Sequence, residues 1–231
     1  MKNLLALCSV ALMLFAGLRP SVAAQTEPLQ QGISVQLAIA NNAAPMRDAD
    51  SIHALVVTVT DSGSVYFGIE PTNAAALTEK IPSHLSDQDR KLYIKADART
   101  QYASVEKIFD AVRTAGVDAP VLLTTQPEWA APGKIVGPRG LEVVVDPSAA
   151  SGPNLTAVEL LSSGKKRPTV KINDRQTPWA HVHNALTKSF KKNPDKLVVI
   201  KADEMLPFGQ IVSVIDTCRA TGATVVLLTH D

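Results

Sequence analysis

The sequence is poor in cysteine, and this limits the ways in which the fold can be stabilised. Only Cys8 and Cys218 occur in 231 residues, and Cys8 lies in an apolar N-terminal stretch. If that stretch is removed, Cys218 cannot form an intrachain disulfide, and the fold must depend on its hydrophobic cores. Cys218 takes an apolar position of a predicted helix, where a small buried side chain is the ordinary interpretation.

The chain also lacks an apolar run long enough to cross a bilayer. Its longest run, Leu4–Leu18, has about 15 residues, whereas a spanning helix needs roughly 20. Lys2 precedes this run, and small residues follow it up to Ala24. This layout is typical of a secretory signal peptide, which we predict over residues 1–24 with cleavage after Ala23 or Ala24. An uncleaved membrane anchor is the alternative.

Neither sign of charge dominates. The sequence has 23 Lys and Arg against 22 Asp and Glu, a formal charge of +1. Removal of residues 1–24 takes away Lys2 and Arg19 and no acidic residue, so the formal charge becomes −1. A surface of nearly balanced charge gives no electrostatic basis for binding nucleic acid.

No catalytic signature is found in the sequence. The serines lack a Gly-x-Ser-x-Gly elbow, and no glycine-rich loop suited to a phosphate or a cofactor occurs. Asp97 and Asp203 each follow a predicted strand and precede a helix. They could form a pair of carboxylates, but an aspartate at that place more commonly accepts hydrogen bonds from the turn or helix backbone. We therefore predict no enzyme activity, no catalytic residue and no cofactor.

The histidines and the basic cluster give no stronger site. His181 and His183 are two apart on a predicted helix and so point about 200° apart, whereas zinc ligands on a helix are spaced i, i+4. His230 and Asp231 lie at the end of the sequence. We predict no metal site. Lys165–Arg167 lies at a hairpin tip, where a solvated turn is the usual interpretation and contact with an anionic polymer the alternative.

What the sequence does contain is a repeat. Residues 91–124 and 197–229 match at an offset of 106, so that Ile94–Asp97 aligns with Ile200–Asp203. Each copy reads as an apolar strand, a turn with an Asp, an amphipathic helix ended by Gly and a second apolar strand, which indicates duplication. The residues predicted to face inward from the helices are Val105, Ile108, Phe109 and Val112, then Ile211, Val214, Ile215 and Cys218.

The segments before these units also match each other. We predict half-buried strands at Ile33–Ile39 and Leu141–Val145, because apolar and polar residues alternate there. Hairpins follow in both copies, with turns at residues 61–64 and 162–167 that contain a Gly for the positive φ such turns need.

A helix follows each hairpin. Thr72 or Asn73 can cap the first, which Pro82 is expected to kink or shorten. Thr177 with Pro178 at the first helical position is a strong start for the second. The inward positions are predicted to be Leu77, Ile81 and Leu85 in one helix and Val182, Leu186 and Phe190 in the other.

Each copy has the order β, β-hairpin, α, β, α, β. This predicts an α+β fold of two tandem modules, each a small mixed sheet with two helices on one face. The modules are predicted at 33–126 and 141–231, with a linker rich in Pro and Gly at 127–140. Their formal charges are −3 and +2. Opposite charges would favour docking of the copies, although two solvated surfaces are the ordinary interpretation.

Several of these stretches resemble one family. The KAD turns, the helix ends DAVRTAG and DTCRATG, the VLLT strands and the segment KINDRQTPW are similar to the periplasmic domain of the ExbD/TolR family. The resemblance covers nearly all of the chain after the N-terminal stretch, twice. It implies the same fold, in domains that pair as dimers. A tandem duplication would then place both halves of such a dimer in one chain.

The resemblance also implies partners: envelope proteins of an ExbB/TonB- or TolQ/TolA-like system, and on the TolR side peptidoglycan. The family's membrane helix carries an aspartate for protons, whereas the first acidic residue here is Glu27, beyond the apolar run. We expect a periplasmic binding or adaptor protein, whose partner-binding residues the sequence does not identify. A peptidoglycan-binding protein, a membrane-anchored transport subunit and an enzyme with an unrecognised site are the alternatives.

Overall fold

A computed structural model describes residues 32–85, 91–126, 137–150, 154–164 and 167–229. The predictions of a signal peptide at 1–24 and of most of the linker at 127–140 lie outside the described residues. So do Lys165 and Lys166 of the basic cluster, as well as His230 and Asp231.

The first module is built from three parallel strands, two helices and a hairpin that widens the sheet. Its elements are β1 (Ala44–Pro45), β2 (Leu55–Val59), β3 (Val65–Phe67), β4 (Glu70–Thr72), α1 (Ala74–His84), β5 (Leu92–Ala96), α2 (Tyr102–Thr114) and β6 (Val121–Thr124). A short 3-10 helix, Arg47–Asp50, follows β1.

The second module repeats this plan. After β7 (Arg139–Glu142), which joins the first sheet, its elements are β8 (Val144–Val145), β9 (Leu155–Leu161), β10 (Thr169–Ile172), β11 (Arg175–Thr177), α3 (Val182–Phe190), β12 (Leu197–Ala202), α4 (Phe208–Ala220) and β13 (Thr224–Leu227). The 3-10 helices Pro147–Ala150 and Trp179–His181 lie between them.

The two sheets share one topology and differ at one end. Their strand orders are β4-β3-β2-β5-β6-β7-β1 and β11-β10-β9-β12-β13-β8. In both, the three central strands are parallel and the hairpin strands antiparallel, so each sheet is mixed. Next to the third parallel strand, the first sheet has the antiparallel β7 and the second has the parallel β8. The predicted α+β fold of two tandem modules is confirmed.

The helices bury the face that their periodicity predicts. All eight inward positions of α2 and α4 are at most 1% exposed, and Leu77, Ile81, Val182 and Leu186 are fully buried. These side chains belong to a single hydrophobic cluster that extends through both modules. Because apolar area removed from water contributes roughly 25 cal/mol per Å², this cluster is the main source of stability in a chain whose described cysteine is free.

The prediction of a regular strand at Ile33–Ile39 was wrong, because the segment does not form a strand of the sheet. Only Ile39 makes a β-bridge there, to Thr125. The reason is that the backbone of Gln36 bonds to the loop after β5 instead: its N–H donates to the Asp97 carboxylate and its C=O accepts from the Ala98 N–H. Exposure alternates as expected from Ile33 to Leu37, but the order reverses at the end of the segment, where Ala38 is buried and Ile39 is exposed.

The predicted strand Leu141–Val145 is divided between the two sheets. β7 pairs with β6 of the first module, and β8 pairs with β13 of the second. The N–H groups of Val143, between the two strands, and of Val145, in β8, donate to the carbonyls of Pro120 and Asp118 in the first module. Arg139 and Gly140, at the end of the predicted linker, lie in β7. The boundaries of the two modules stay a prediction.

One predicted helix start is confirmed, whereas the other helix start and the extent of the hairpins differ from the prediction. Asn73 caps α1 through its side chain, which accepts a hydrogen bond from the Ala76 N–H at 2.9 Å, and the helix continues past Pro82. Thr177 does not start a helix: it ends β11, and Pro178 caps the 3-10 helix before α3. β4 and β11, which add a third strand to each hairpin, were not predicted.

Candidate functional site

Asp97 is a structural group in the first module. Its side chain is 2% exposed, and one carboxylate oxygen accepts from the Gln36 N–H at 2.9 Å. Arg99 donates to both oxygens through Nε and Nη2, each at 2.9 Å, and through its backbone N–H at 3.0 Å. These side-chain bonds from Arg99, which outweigh the opposing effect of burial, hold the pKa of Asp97 far below its usual range. The carboxylate therefore stays ionised and fully bonded.

Asp203 has the same place in the second module with weaker support. Its carboxylate accepts from the Met205 N–H at 2.9 Å and from the Ser162 N–H at 3.3 Å. Met205 stands where the first module has Arg99, so the guanidinium is missing. Both aspartates thus hold the turn after a strand, as the structural interpretation predicted. The Asp97 carboxylate, held ionised by Arg99, is not available as a general acid or base in this arrangement.

The turns that contain these aspartates pair with each other across the two modules. The Tyr102 N–H donates to the Leu206 carbonyl and the Phe208 N–H to the Thr100 carbonyl, both at 2.8 Å. Tyr102 and Phe208 are equivalent in the repeat, so the contact is reciprocal, as in an isologous dimer interface. A β-bridge between Gln101 and Pro207 lies at its centre.

A second inter-module contact uses Asp216 of α4. Its carboxylate, on a residue only 7% exposed, accepts from the N–H groups of Asn41 and Asn42 at 3.1 and 2.7 Å. The Asn42 side chain also donates to it at 3.2 Å. The N-terminal segment of the first module is therefore anchored on a helix of the second. The sequence showed Asp216 only as the repeat partner of Asp110, and no signal pointed to the segment.

The remaining side chains considered from the sequence do not converge. His181 ends a 3-10 helix and His183 is in α3, and both are exposed. In the part of the chain that the structure describes, no three His, Cys, Asp or Glu side chains come together as metal ligands. Cys218 is fully buried, and burial raises the pKa of its thiol to about 12. It is a core side chain, not a nucleophile.

Each sheet has one exposed end strand that belongs to its hairpin, at the end opposite to β1 or β8. β4 ends the first sheet and β11 the second. Beside β11, Arg167 lies over the ring of Trp179, with its guanidinium carbon 5.6 Å from the ring centroid. These residues line a shallow depression of about 360 Å³ together with Gln176 and Thr177. The outer face of the second sheet carries a further groove of about 460 Å³, lined by Val199, Lys201 and Leu228 among others.

Together, the fold and these contacts define a duplicated α+β protein whose buried charges hold its turns and join its two halves. The chain belongs to the ExbD/TolR family: the family model, described as biopolymer transport protein ExbD/TolR, matches residues 3–128 and again residues 134–231. The two matches correspond to the two modules and confirm the tandem resemblance. No curated protein matches the chain significantly. None of the helices in the described ranges is long and apolar enough to span a membrane.

Proposed function

We propose that the protein is a periplasmic binding or adaptor component of an energy-transducing envelope system of the ExbB/ExbD or TolQ/TolR kind. It acts through contacts with other proteins rather than by catalysis. Membership of a family of biopolymer transport components supports the general part of this proposal. Its partners would then be ExbB/TonB- or TolQ/TolA-like proteins.

The observation that carries the proposal is the use of strand edges. On the inner side, the modules satisfy each other: Val143 and Val145 donate to the carbonyls of Pro120 and Asp118, and the turns around Gln101 and Pro207 exchange main-chain hydrogen bonds. On the outer side, β4 and β11 end their sheets. A sheet edge that ends at solvent can pair with an extended segment of another protein.

The buried carboxylates support a non-catalytic role. Those of Asp97 and Asp216 accept hydrogen bonds from backbone N–H groups of other segments, which positions chain rather than substrate. A general acid or base needs a pKa near the working pH, whereas the Arg99 hydrogen bonds move that of Asp97 in the opposite direction.

Affinity capture tests the proposal. The exported protein, tagged at its C-terminus, should retain an ExbB-, TonB-, TolQ- or TolA-like protein from an envelope extract after mild cross-linking. The same tag on an unrelated periplasmic protein is the control. Sequencing of the periplasmic form should give an N-terminus at Ala24 or Gln25. A form that begins at Met1 and stays in the membrane would instead favour an anchored transport subunit.

Peptidoglycan binding is the second candidate. The excess of basic residues in the predicted second module favours it, because an anionic polymer is attracted to a positive surface. Sedimentation with purified peptidoglycan tests this candidate, because a protein that binds only other proteins should not sediment with the polymer. Binding that is lost at about 1 M salt would be electrostatic, since the Debye length falls to about 3 Å there.

A further inference from the structure

The two outer edge strands differ at two of their three equivalent positions, and the central difference decides whether the edge can pair. In the first sheet, Pro71 of β4 is paired with Tyr66 of β3; in the second, Gln176 of β11 is paired with Lys171 of β10. Proline has no N–H, and proteins use it on edge strands to prevent pairing with another chain. Glutamine keeps its N–H. The first outer edge is therefore blocked where the second is open.

The hairpin geometry fixes which backbone groups of β11 point outward. β10 and β11 are joined by Asn173 and Asp174, with φ of 47° and 63°, the two positive values of a type I′ turn. In a two-residue hairpin, the pair next to the turn, Ile172 and Arg175, exchanges hydrogen bonds, and the next pair does not. The N–H and C=O of Gln176 are thus directed away from β10, toward any strand that joins the edge.

A recognition surface for side chains lies beside this edge. Trp179 is half-buried, and its Nε1–H donates to the Pro168 carbonyl at 2.9 Å, so the ring is held in place. Arg167 covers the ring and is exposed. A fixed aromatic ring offers apolar contact at little cost in conformational entropy, and an arginine offers two donors to a carboxylate.

The charge at this edge is mostly positive and unpaired. Arg167 and Arg175 are exposed, and within the described ranges neither takes part in an ion pair. Lys171, by contrast, is paired with Glu159 at 2.9 Å. Asp174, in the turn, is the acidic group closest in sequence to Arg175. The surface is therefore complementary to negative side chains.

We propose that β11 binds an extended segment of a partner protein in which apolar and acidic residues alternate. The segment pairs with the main chain of Gln176, places an apolar side chain against Trp179 and places a carboxylate on Arg167 or Arg175. This inference rests on the proposed function, since it names the surface and the partner chemistry through which the adaptor would bind.

A peptide titration followed by NMR tests the proposal on the full exported chain. The probe is a short capped peptide of alternating valine and glutamate. It should shift the Gln176 amide and the Trp179 indole N–H signals. A peptide with lysine in place of glutamate should bind at least roughly tenfold more weakly, because the charges at the edge are positive. A glutamate peptide with N-methyl groups on alternate residues should lose binding without any change to the protein.

Two substitutions at one position separate the backbone from the side chain. Gln176→Pro reproduces the first module and removes the outward N–H, so it should weaken binding of the glutamate peptide by roughly tenfold. Gln176→Ala keeps the N–H and should bind within about twofold of the unchanged protein, since a main-chain bond does not depend on the side chain. Retained dispersion in the amide spectrum of Gln176→Pro shows that the module is folded.

The proposal is overturned if the glutamate peptide does not bind, binds with shifts away from β11, or binds Gln176→Pro as tightly as Gln176→Ala. It is also overturned if peptidoglycan fragments, and not the peptide, move the Trp179 signal. The proposed function is judged separately by affinity capture. If the Gln176→Pro variant still retains the envelope partner, β11 is not the binding edge, but the adaptor function is unaffected. If the unchanged protein retains no envelope partner, the adaptor function is wrong.

Discussion

The two modules share a fold but differ in what covers their outer sheet face. In the first, β2 is buried along its whole length, because residues 44–54 pack over it and form a second small core with Val56, Tyr93 and Val121. In the second, β9 alternates between buried residues and residues that are partly or fully exposed. The duplication has thus kept the helical side of the sheet in both copies and changed the outer side.

The same contrast is found in the turns and edges. The Asp97 turn has an arginine partner and the Asp203 turn does not. The outer edge of the first sheet carries Pro71, and the equivalent place in the second carries Gln176. The first sheet is therefore blocked at its outer edge and has a smaller outer cavity of about 250 Å³, lined by Val56 and Lys95 among others, whereas the second keeps a groove of about 460 Å³ and an open edge. This difference supports the proposal that the second module provides the interaction surface. The following experiments test how far the two modules differ.

The largest effect is expected where the modules are alike. Phe109 and Ile215 are equivalent and fully buried. Phe109→Ala should lower the free energy of unfolding by roughly 3–5 kcal/mol, and Ile215→Ala by roughly 2–5 kcal/mol, because each leaves a cavity. Urea unfolding followed by circular dichroism measures both. A loss below about 1 kcal/mol in either variant would contradict equivalent helix packing in the two modules.

A substitution at the contact between the modules should lower the free energy of unfolding by less than a core substitution does. A Cβ at Gly209 would lie 3.0 Å from the Cβ of Ala98 across the module contact, whereas the equivalent residue in the first module is Ala103. Gly209→Val should therefore destabilise the contact by about 1–3 kcal/mol. Solution scattering should give about 17 Å for the radius of gyration of the unchanged exported chain, by the scaling for compact proteins, and a larger value for the variant.

Ala103→Gly is the matched control for that variant and should keep the compact radius. Two separate thermal transitions already present in the unchanged protein would show that the modules are independent, and a compact dimer of whole chains would show that the edges pair between chains.

The turn aspartates should respond differently to substitution. Asp97→Asn removes a buried charge bonded to Arg99 and should cost about 2 kcal/mol at pH 7; Asp203→Asn should cost about 1 kcal/mol, because it loses only neutral donors. The folded pKa of Asp97 is lowered, so its contribution is present above the unfolded pKa of about 3.9 and is lost as the pH falls below that value. The difference between the two variants in lost unfolding free energy should therefore become smaller at acid pH. A constant gap from pH 7 to pH 3 would contradict this assignment.

The features that follow from local patterns could be predicted from the sequence. The repeat at a fixed offset gave the tandem modules, and the 3.6-residue period gave the buried face of α2 and α4. The Asp of each KAD turn was correctly assigned to backbone hydrogen bonds. Alternation in β9, with Glu159 between Val158 and Leu160, already matched an outer face open to solvent.

The features that depend on distant contacts could not be predicted. Alternation in residues 141–145 is the same for one strand or for two that belong to different sheets, so the crossing at Val143 gave no signal. The anchoring of Asn41 and Asn42 by Asp216 joins residues about 175 positions apart. The outer edges were missed because β4 and β11 have three residues each, too few for a periodic pattern.

The smallest expected effect concerns two equivalent lysines on the outer faces. Lys95 is partly covered in the first module, and burial, opposed by the nearby Asp50, lowers the pKa of its ammonium; Lys201 is exposed. Since the folded pKa of Lys95 is lowered, the unfolded chain binds more protons between that value and about 10.4, and stability rises with pH through this window. Lys95→Met should abolish the rise and increase stability at pH 7 by less than about 1 kcal/mol, whereas Lys201→Met should change it by no more than about 0.5 kcal/mol. Urea unfolding at pH 7 and pH 10 measures both. Equal changes in unfolding free energy for the two substitutions at both pH values would contradict this difference, because they would mean that Lys95 is no more buried in solution than Lys201.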